Sequence, residues 1–291
     1  MATVITKTLN ITESNAEQYC TASGLELNDG GHAFRKWLDG GTDGYAILND
    51  AAKELLYPSA YARPFKLDSS IRGSRSAGSM TAALEFDGTA VHSVSFTSTV
   101  MKTQSSTGIT VSAVTSSRRS TVIRWHINGA NANIQRVETA DITLYFQQYD
   151  FSVAIATGMS TNPSLIRDVR ILKDGDSFGS FQQVAYEGES VTFSANLKDN
   201  AVFDGWYSDN DCTNLVSKDA NYTVTASADL KLYAKASTGE LAGTGAFIKR
   251  SGTWAEAQAV YKKISGAWVK QTDMNAVKTE IQNGNYIFKE D

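Results

Sequence analysis

Along most of this chain, apolar and polar residues alternate with a period of two, the spacing of a half-buried β-strand. The pattern is densest from Met80 to Ala156, in "HSVSFTSTVMK", "GITVSAVTSS", "STVIRWHING" and "DITLYFQQYDFSVAIAT". Short Ser, Thr, Gly and Asn clusters separate these runs, and Asn128-Gly129 is a tight-turn signal. The pattern predicts four to six antiparallel strands with almost no helix between them, forming a β-sandwich or a barrel-like domain.

Residues 1 to about 80 alternate less clearly. "VITKTLNIT" reads as an opening strand, and "GYAILNDAAKELLYPS" offers the best helix. Ala46, Ile47, Ala51, Leu55 and Leu56 can share one helical face, which Pro58 ends. "DGGHAFRKWLDGG" suggests a further helical turn, and the Ser/Gly-rich stretch "SSIRGSRSAGS" (69–79) a flexible loop or arm.

Beyond a linker at 156–164, a second alternating region runs from about Leu165 to Ala236. Val191 with Phe193, Tyr222 with Val224, and Leu230 with Leu232 and Ala234 each set one apolar face against polar neighbours. Trp206 and Tyr207 must point to opposite faces of their strand, so at most one of them is deep core. After the Gly-spaced stretch 237–247 the chain writes one phrase twice, fourteen residues apart: "FIKRSGTW" from Phe247 and "YKKISGAW" from Tyr261. Ser-Gly between short alternating segments is turn chemistry, so each copy reads as a β-hairpin that brings its aromatic residue and its tryptophan near one another. A short polar helix is expected over Asp273 to Gln282.

The expected fold is therefore mainly β. An N-terminal sandwich or barrel-like domain with one or two short helices (1–160) precedes a small β-grasp or Ig-like module (165–237), and a hairpin-repeat module (245–291) closes the chain.

Composition narrows the chemistry. With 27 basic and 31 acidic residues over 291 positions the net charge is −4, and the basic residues are scattered. That argues against nucleic acid, whose phosphates need concentrated Lys and Arg. Arg118, Arg119 and Arg124 read as an exposed loop and strand. No run approaches the apolar length of a membrane helix, and "MATVITKTLNITESN" is not patterned as a signal peptide. Cys20 and Cys212 lie in different expected modules, which speaks against a disulfide framework, and the histidines at 32, 92 and 126 have no metal-ligand spacing.

Two motifs resemble catalytic or metal sites and fail on context. "GDSFG" (175–179) has the G-x-S-x-G form, but a strand-like segment follows it and no histidine comes after His126. A histidine-first order through His126, Asp141 and Ser177 would have to unite two modules. "DNDCTN" (209–214) has the alternating oxygens of a calcium loop, yet position six is Asn214 and position twelve Ala220 where such loops need Gly and Glu. No catalytic residue, cofactor or metal ligand is assigned, and the chain is expected not to be an enzyme.

Residues 186–235 carry a family resemblance. The strand "GESVTF", the phrase of Phe203, Gly205, Trp206 and Tyr207, the turn from Asp209 to Thr213 and the closing "LYAK" (232–235) resemble the internalin-type B repeat of bacterial surface proteins and some phage structural proteins. "KRSGTWAEAQAVYKKISGAWVKQTDM" resembles short C-terminal units of phage tail, baseplate and fibre proteins. Together these imply a phage virion structural protein, located in the particle. It would assemble with copies of itself and other virion proteins through 1–160, and project its smaller modules outward towards a host-wall glycan, with no nucleic acid or membrane partner. The alternative is a bacterial cell-surface adhesion or glycan-binding protein. Candidate contact residues are Trp254, Trp268, Tyr261, Phe247 and Tyr207.

Overall fold

A computed structural model describes residues 2–37, 43–76, 78–110, 121–129, 134–158, 163–173, 179–198 and 201–238. In the C-terminal part it describes 247–250, 253–256, 259–264, 267–270 and 286–289. The chain is mainly β, built from several sheets none of which closes into a barrel. It divides into two compact units. The first comprises Met1–Ser152, Ile171–Phe193 and Thr223–Lys231, and the second Val153–Arg170, Ser194–Tyr222 and Leu232–Asp291.

The first unit is organised on the long strand Ile134–Ile155. Thr3–Ile11, His32–Trp37, Pro64–Arg75 and Gln182–Tyr186 all pair with it antiparallel, and Lys102–Thr110 extends the sheet beyond Pro64–Arg75. A second sheet runs in the order Cys20–Ser23, Gly44–Leu48, Ile123–Asn128, Met80–Phe86, Thr89–Phe96. The period-two pattern explains the packing. Ala140, Ile142, Leu144 and Phe146 of the long strand are buried in one cluster with Leu67, Ile71, Leu84, Ile123 and Trp125, while Thr143 and Tyr145 are left on the outer face. Phe34 meets Trp125 across the layers at 5.6 Å between ring centroids. Further along, the inward parity switches: Phe151 is buried and meets Phe193 at 6.3 Å, with exposed Asp150 before it.

Four expectations for the N-terminal region are corrected. Residues 2–79, expected to be the least regular, supply six strands among the described residues. The helix covers only Asp50–Leu56, capped by the Asn49 side chain, which accepts from the Ala52 amide at 3.0 Å. It buries Ala52 and Leu56, whereas Ala46 and Ile47 belong to the strand Gly44–Leu48 and Leu55 faces water. The stretch read as a helical turn is the strand His32–Trp37, entered from Glu26–Asp29 through Gly30 and Gly31, both at positive φ. The Ser/Gly arm is strand Pro64–Arg75. Its small residues face inward because space is short: a Cβ at Gly73 would stand 2.9 Å from the Arg136 carbonyl oxygen and 3.0 Å from Met80 Cε.

His92 gives this core a pH dependence. It sits 8% exposed opposite Leu84, and its Nδ1 has no hydrogen-bond partner among the described residues. Burial holds its imidazole below the ordinary histidine range, so the folded state favours the neutral ring. The contribution is complete above the unfolded value of about 6.5 and is lost as pH falls below it, at no more than about 1.4 kcal/mol per pH unit. Hydrogen exchange of Met80–Phe96 should therefore accelerate between about pH 7 and pH 5 beyond its intrinsic trend, and His92→Gln should flatten that excess.

In the second unit Ala201–Tyr207 lies between Leu215–Ser217 and Leu230–Thr238. Trp206 is fully buried and packs edge-on against Phe203 at 5.3 Å, with Leu232, Ala234 and Ala236 also buried. The repeated phrase forms strand pairs as expected: Phe247–Arg250 with Thr253–Glu256, and Ala259–Ile264 with Ala267–Lys270. The second pair is extended to three strands by Tyr286–Lys289. The expected helix over 273–282, both Ser-Gly pairs, Arg118, Arg119 and Ser177 lie outside the described residues.

Candidate functional site

The two copies of the C-terminal phrase share one register. Lys249 is the backbone partner of Trp254, and Lys263 that of Trp268. Phe247 is paired with Glu256, two residues beyond Trp254, so the aromatic and the tryptophan are diagonal neighbours along the ladder. Tyr261, half-buried, lies between Lys270 and Ile287. The side chains of Phe247, Trp254 and Trp268 lie outside the described residues. Tyr207 stands in a different sheet from these four.

Around Tyr207 the backbone builds an outward apolar row. Trp206 takes the inward face, so Tyr207 must take the outward one. Its backbone partners are Leu215 on one side and Tyr233 on the other, which sets Leu215, Tyr207 and Tyr233 across three adjacent strands. Both tyrosines are half-buried, and Leu215 is 46% exposed.

Gly205 shapes this row. A bulge between Phe203 and Gly205 re-aims the strand, and Gly205 adopts φ +146°. A Cβ there would stand 2.4 Å from Leu215 Cδ1 and 2.7 Å from the Ser217 carbonyl oxygen, so only glycine lets Leu215 lie over the strand. Lys235, the partner of Gly205, places its ammonium 5.8 Å from the Tyr207 ring centroid. Burial, then Asp204 and smaller contributions from Cys212 and Asp209, pushes the Tyr207 phenol up, so near neutrality it remains a hydroxyl able to donate. An apolar row tipped with phenols and flanked by a cation can hold an amphipathic ligand lying flat on the strands.

Residues 172–235 match the Listeria-Bacteroides repeat domain family. The match spans 64 of the 291 residues, in line with the resemblance of this stretch to an internalin-type B repeat, and it contains the whole tyrosine row. Its sequence is shared between the two units, since Ile171–Phe193 and Thr223–Lys231 belong to the first. No curated protein matches the chain.

Among solved structures, the chain is similar to the CBM36-1 domain of a multidomain xylanase from the hindgut metagenome of Trinervitermes trinervoides. Identity is 8% and the TM-score 0.31, over 48% of this chain and 96% of that one. A carbohydrate-binding module CBM36 in complex with calcium and xylotriose gives 14% identity and a TM-score of 0.30, over 46% of this chain and 98% of that one. The Podospora anserina GH26-CBM35 β-(1,4)-mannanase gives 14% and 0.30, over 55% of this chain and 30% of that one. At these TM-scores the overlap carries no argument about ligand or activity.

In the turn Asp209–Asn214 the side-chain oxygens of Asp209 and Asn210 accept from the chain itself. The Asp209 carboxylate accepts from the Thr213 amide at 3.0 Å and the Asn214 amide at 2.8 Å, and these bonds hold it below the usual carboxylate range. The Asn210 side-chain oxygen accepts from the Thr157 amide at 3.0 Å.

The histidine-first constellation is not assembled from its described members. His126 lies in the five-stranded sheet, stacked on Tyr45 at 4.6 Å with Nδ1 2.9 Å from Glu85, while Asp141 lies in the other sheet, bonded to Asn10. Both cysteines are free, and burial pushes the Cys20 thiol up to about 12, where it is unreactive.

The sequence points to Tyr207 but not to Tyr233, whose "LYAK" context reads as the closing element of the B-repeat resemblance. The signal was present: Tyr233 and Lys235 are two apart, and so share the face opposite to Leu232 and Ala234.

Proposed function

We propose that this chain is a non-catalytic, multi-module β protein that binds polysaccharide at a cell or particle surface through the row Leu215–Tyr207–Tyr233. The observation that carries this reading is the side-by-side placement of two tyrosines on the outward face of the repeat domain, directly behind the buried Trp206. A sugar ring presents C–H faces that favour an aromatic surface, and hydroxyl edges that pair with phenol and ammonium groups. Each such contact is weak, so function would come from many copies displayed together.

The test is a depletion isotherm of the full chain against insoluble polysaccharides, with a glycan array for soluble ones. Tyr207→Ala and Tyr233→Ala should each weaken binding by about tenfold, as expected for truncating an aromatic anchor. Unchanged binding in the double variant would reject the site.

A second reading is favoured by the equal register of the two C-terminal strand pairs, which suits a repeated contact between subunits. In it the chain is a phage virion component that assembles with copies of itself and projects the repeat domain outward. It predicts an oligomeric mass for the purified chain, and lost surface density in particles whose copy lacks residues 165–291. A monomer in dilute solution together with unaltered particles would exclude it.

A further inference from the structure

Within the first unit, a cleft of about 510 Å³ opens where the long strand pairs with Gln182–Tyr186. It is lined by Asp150, Phe151, Ser152, Gln182, Gln183 and Val184. The register makes Asp150 the partner of Val184, and Ser152 that of Gln182, so these four side chains share one face of the ladder. Val184, 41% exposed, supplies the apolar surface on that face, while Phe151, 2% exposed, packs on the opposite face against Phe193. Phe181, next to Gln182 in the chain, stands 61% exposed.

We infer that this cleft is a second saccharide site, selective for short neutral oligosaccharides. The volume falls within the range of small-molecule sites. On the face shared by Asp150, Ser152, Gln182 and Val184 the lining offers one carboxylate, one carboxamide and one hydroxyl beside apolar surface. A carboxylate accepts from hydroxyls, and a carboxamide both accepts and donates, the complement of vicinal sugar hydroxyls. Among the described residues no lysine or arginine lines the cleft, so a ligand carrying carboxylate, sulfate or phosphate would meet Asp150 without a cation in the lining to offset the repulsion. Asp150 is held in place by its backbone, whose amide donates to Asp229 Oδ1 at 3.0 Å. The site shares its ligand class with the reading above but is built from other residues in another unit, so either can fail alone.

The experiment titrates the full chain by calorimetry with neutral xylo-, cello-, manno- and chito-oligosaccharides, and with oligogalacturonate as the acidic probe. It is run on the native chain, on Tyr207→Ala/Tyr233→Ala, and on two cleft variants, Gln182→Ala/Asp150→Ala and Val184→Trp. The altered side chains of the cleft variants line the surface, and the tryptophan fills the cleft without needing a polar group removed. The expected result is that at least one neutral oligosaccharide binds the tyrosine variant undiminished, loses about tenfold or more in both cleft variants, and is preferred over oligogalacturonate. The inference is overturned if no neutral oligosaccharide binds the tyrosine variant, if the cleft variants bind as the native chain does, or if oligogalacturonate binds equally well.

Discussion

Trp206→Ala should destabilise the second unit by about 3–5 kcal/mol, the usual cost of removing a large buried aromatic. Trp206 is fully buried, and its backbone partners are Ala234 and Ser217. Such small neighbours cannot move in to fill the space the indole leaves, so the cavity persists. Phe203 loses its edge-on contact at 5.3 Å as well. The effect should spread to Tyr207, the next residue, whose outward orientation depends on its neighbour being anchored inward. The variant should therefore lose polysaccharide binding although Trp206 touches no ligand. Hydrogen exchange of Ala201–Tyr207 and Leu230–Thr238 measures the stability loss. Protection equal to that of the native chain would contradict the packing described above.

Glu189→Ala should cost the first unit about 3 kcal/mol. Glu189 is 1% exposed, and its carboxylate accepts from the Tyr186 amide at 2.9 Å and from the Ser59 hydroxyl, and faces Lys173 Nζ at 3.0 Å. Ser59 in turn caps the following turn by accepting from the Ala62 amide at 3.0 Å. Breaking a buried ion pair by removing one partner costs about 3–5 kcal/mol. The low end applies because the Lys173 side chain keeps 20% of its surface in water and can rehydrate. Glu189→Gln retains the hydrogen-bond acceptors at one oxygen and should lose about half as much, on the order of 1–2 kcal/mol. Loss of exchange protection at both 57–63 and 182–191 is the expected signature. An effect confined to one segment would show that Glu189 does not join them.

How much of this was legible in the sequence depended on whether the information was local. The period-two pattern placed Trp206 and Tyr207 on opposite faces, since adjacent residues on a strand face opposite ways, and the burial of Trp206 settled which one faces inward. It also exposed the hairpin form of the repeated C-terminal phrase. Composition misled at Ser69–Gly73, where small residues marked a close approach between layers and not a loop. The apolar spacing of Ala46 and Ile47 fitted a helix as well as a strand, and pairing with Ile123–Asn128 decided for the strand. The cleft was not visible at all. Asp150 and Gln182 lie far apart in the chain and meet only through the pairing of their two strands, which no local pattern encodes.

The most direct measurement compares the affinity of the native chain and of Tyr207→Ala/Tyr233→Ala for the polysaccharide that the native chain retains best. The double variant should lose at least about tenfold in affinity, with unchanged exchange protection around Trp206. Equal affinity, with the fold intact in both, would contradict the proposed site.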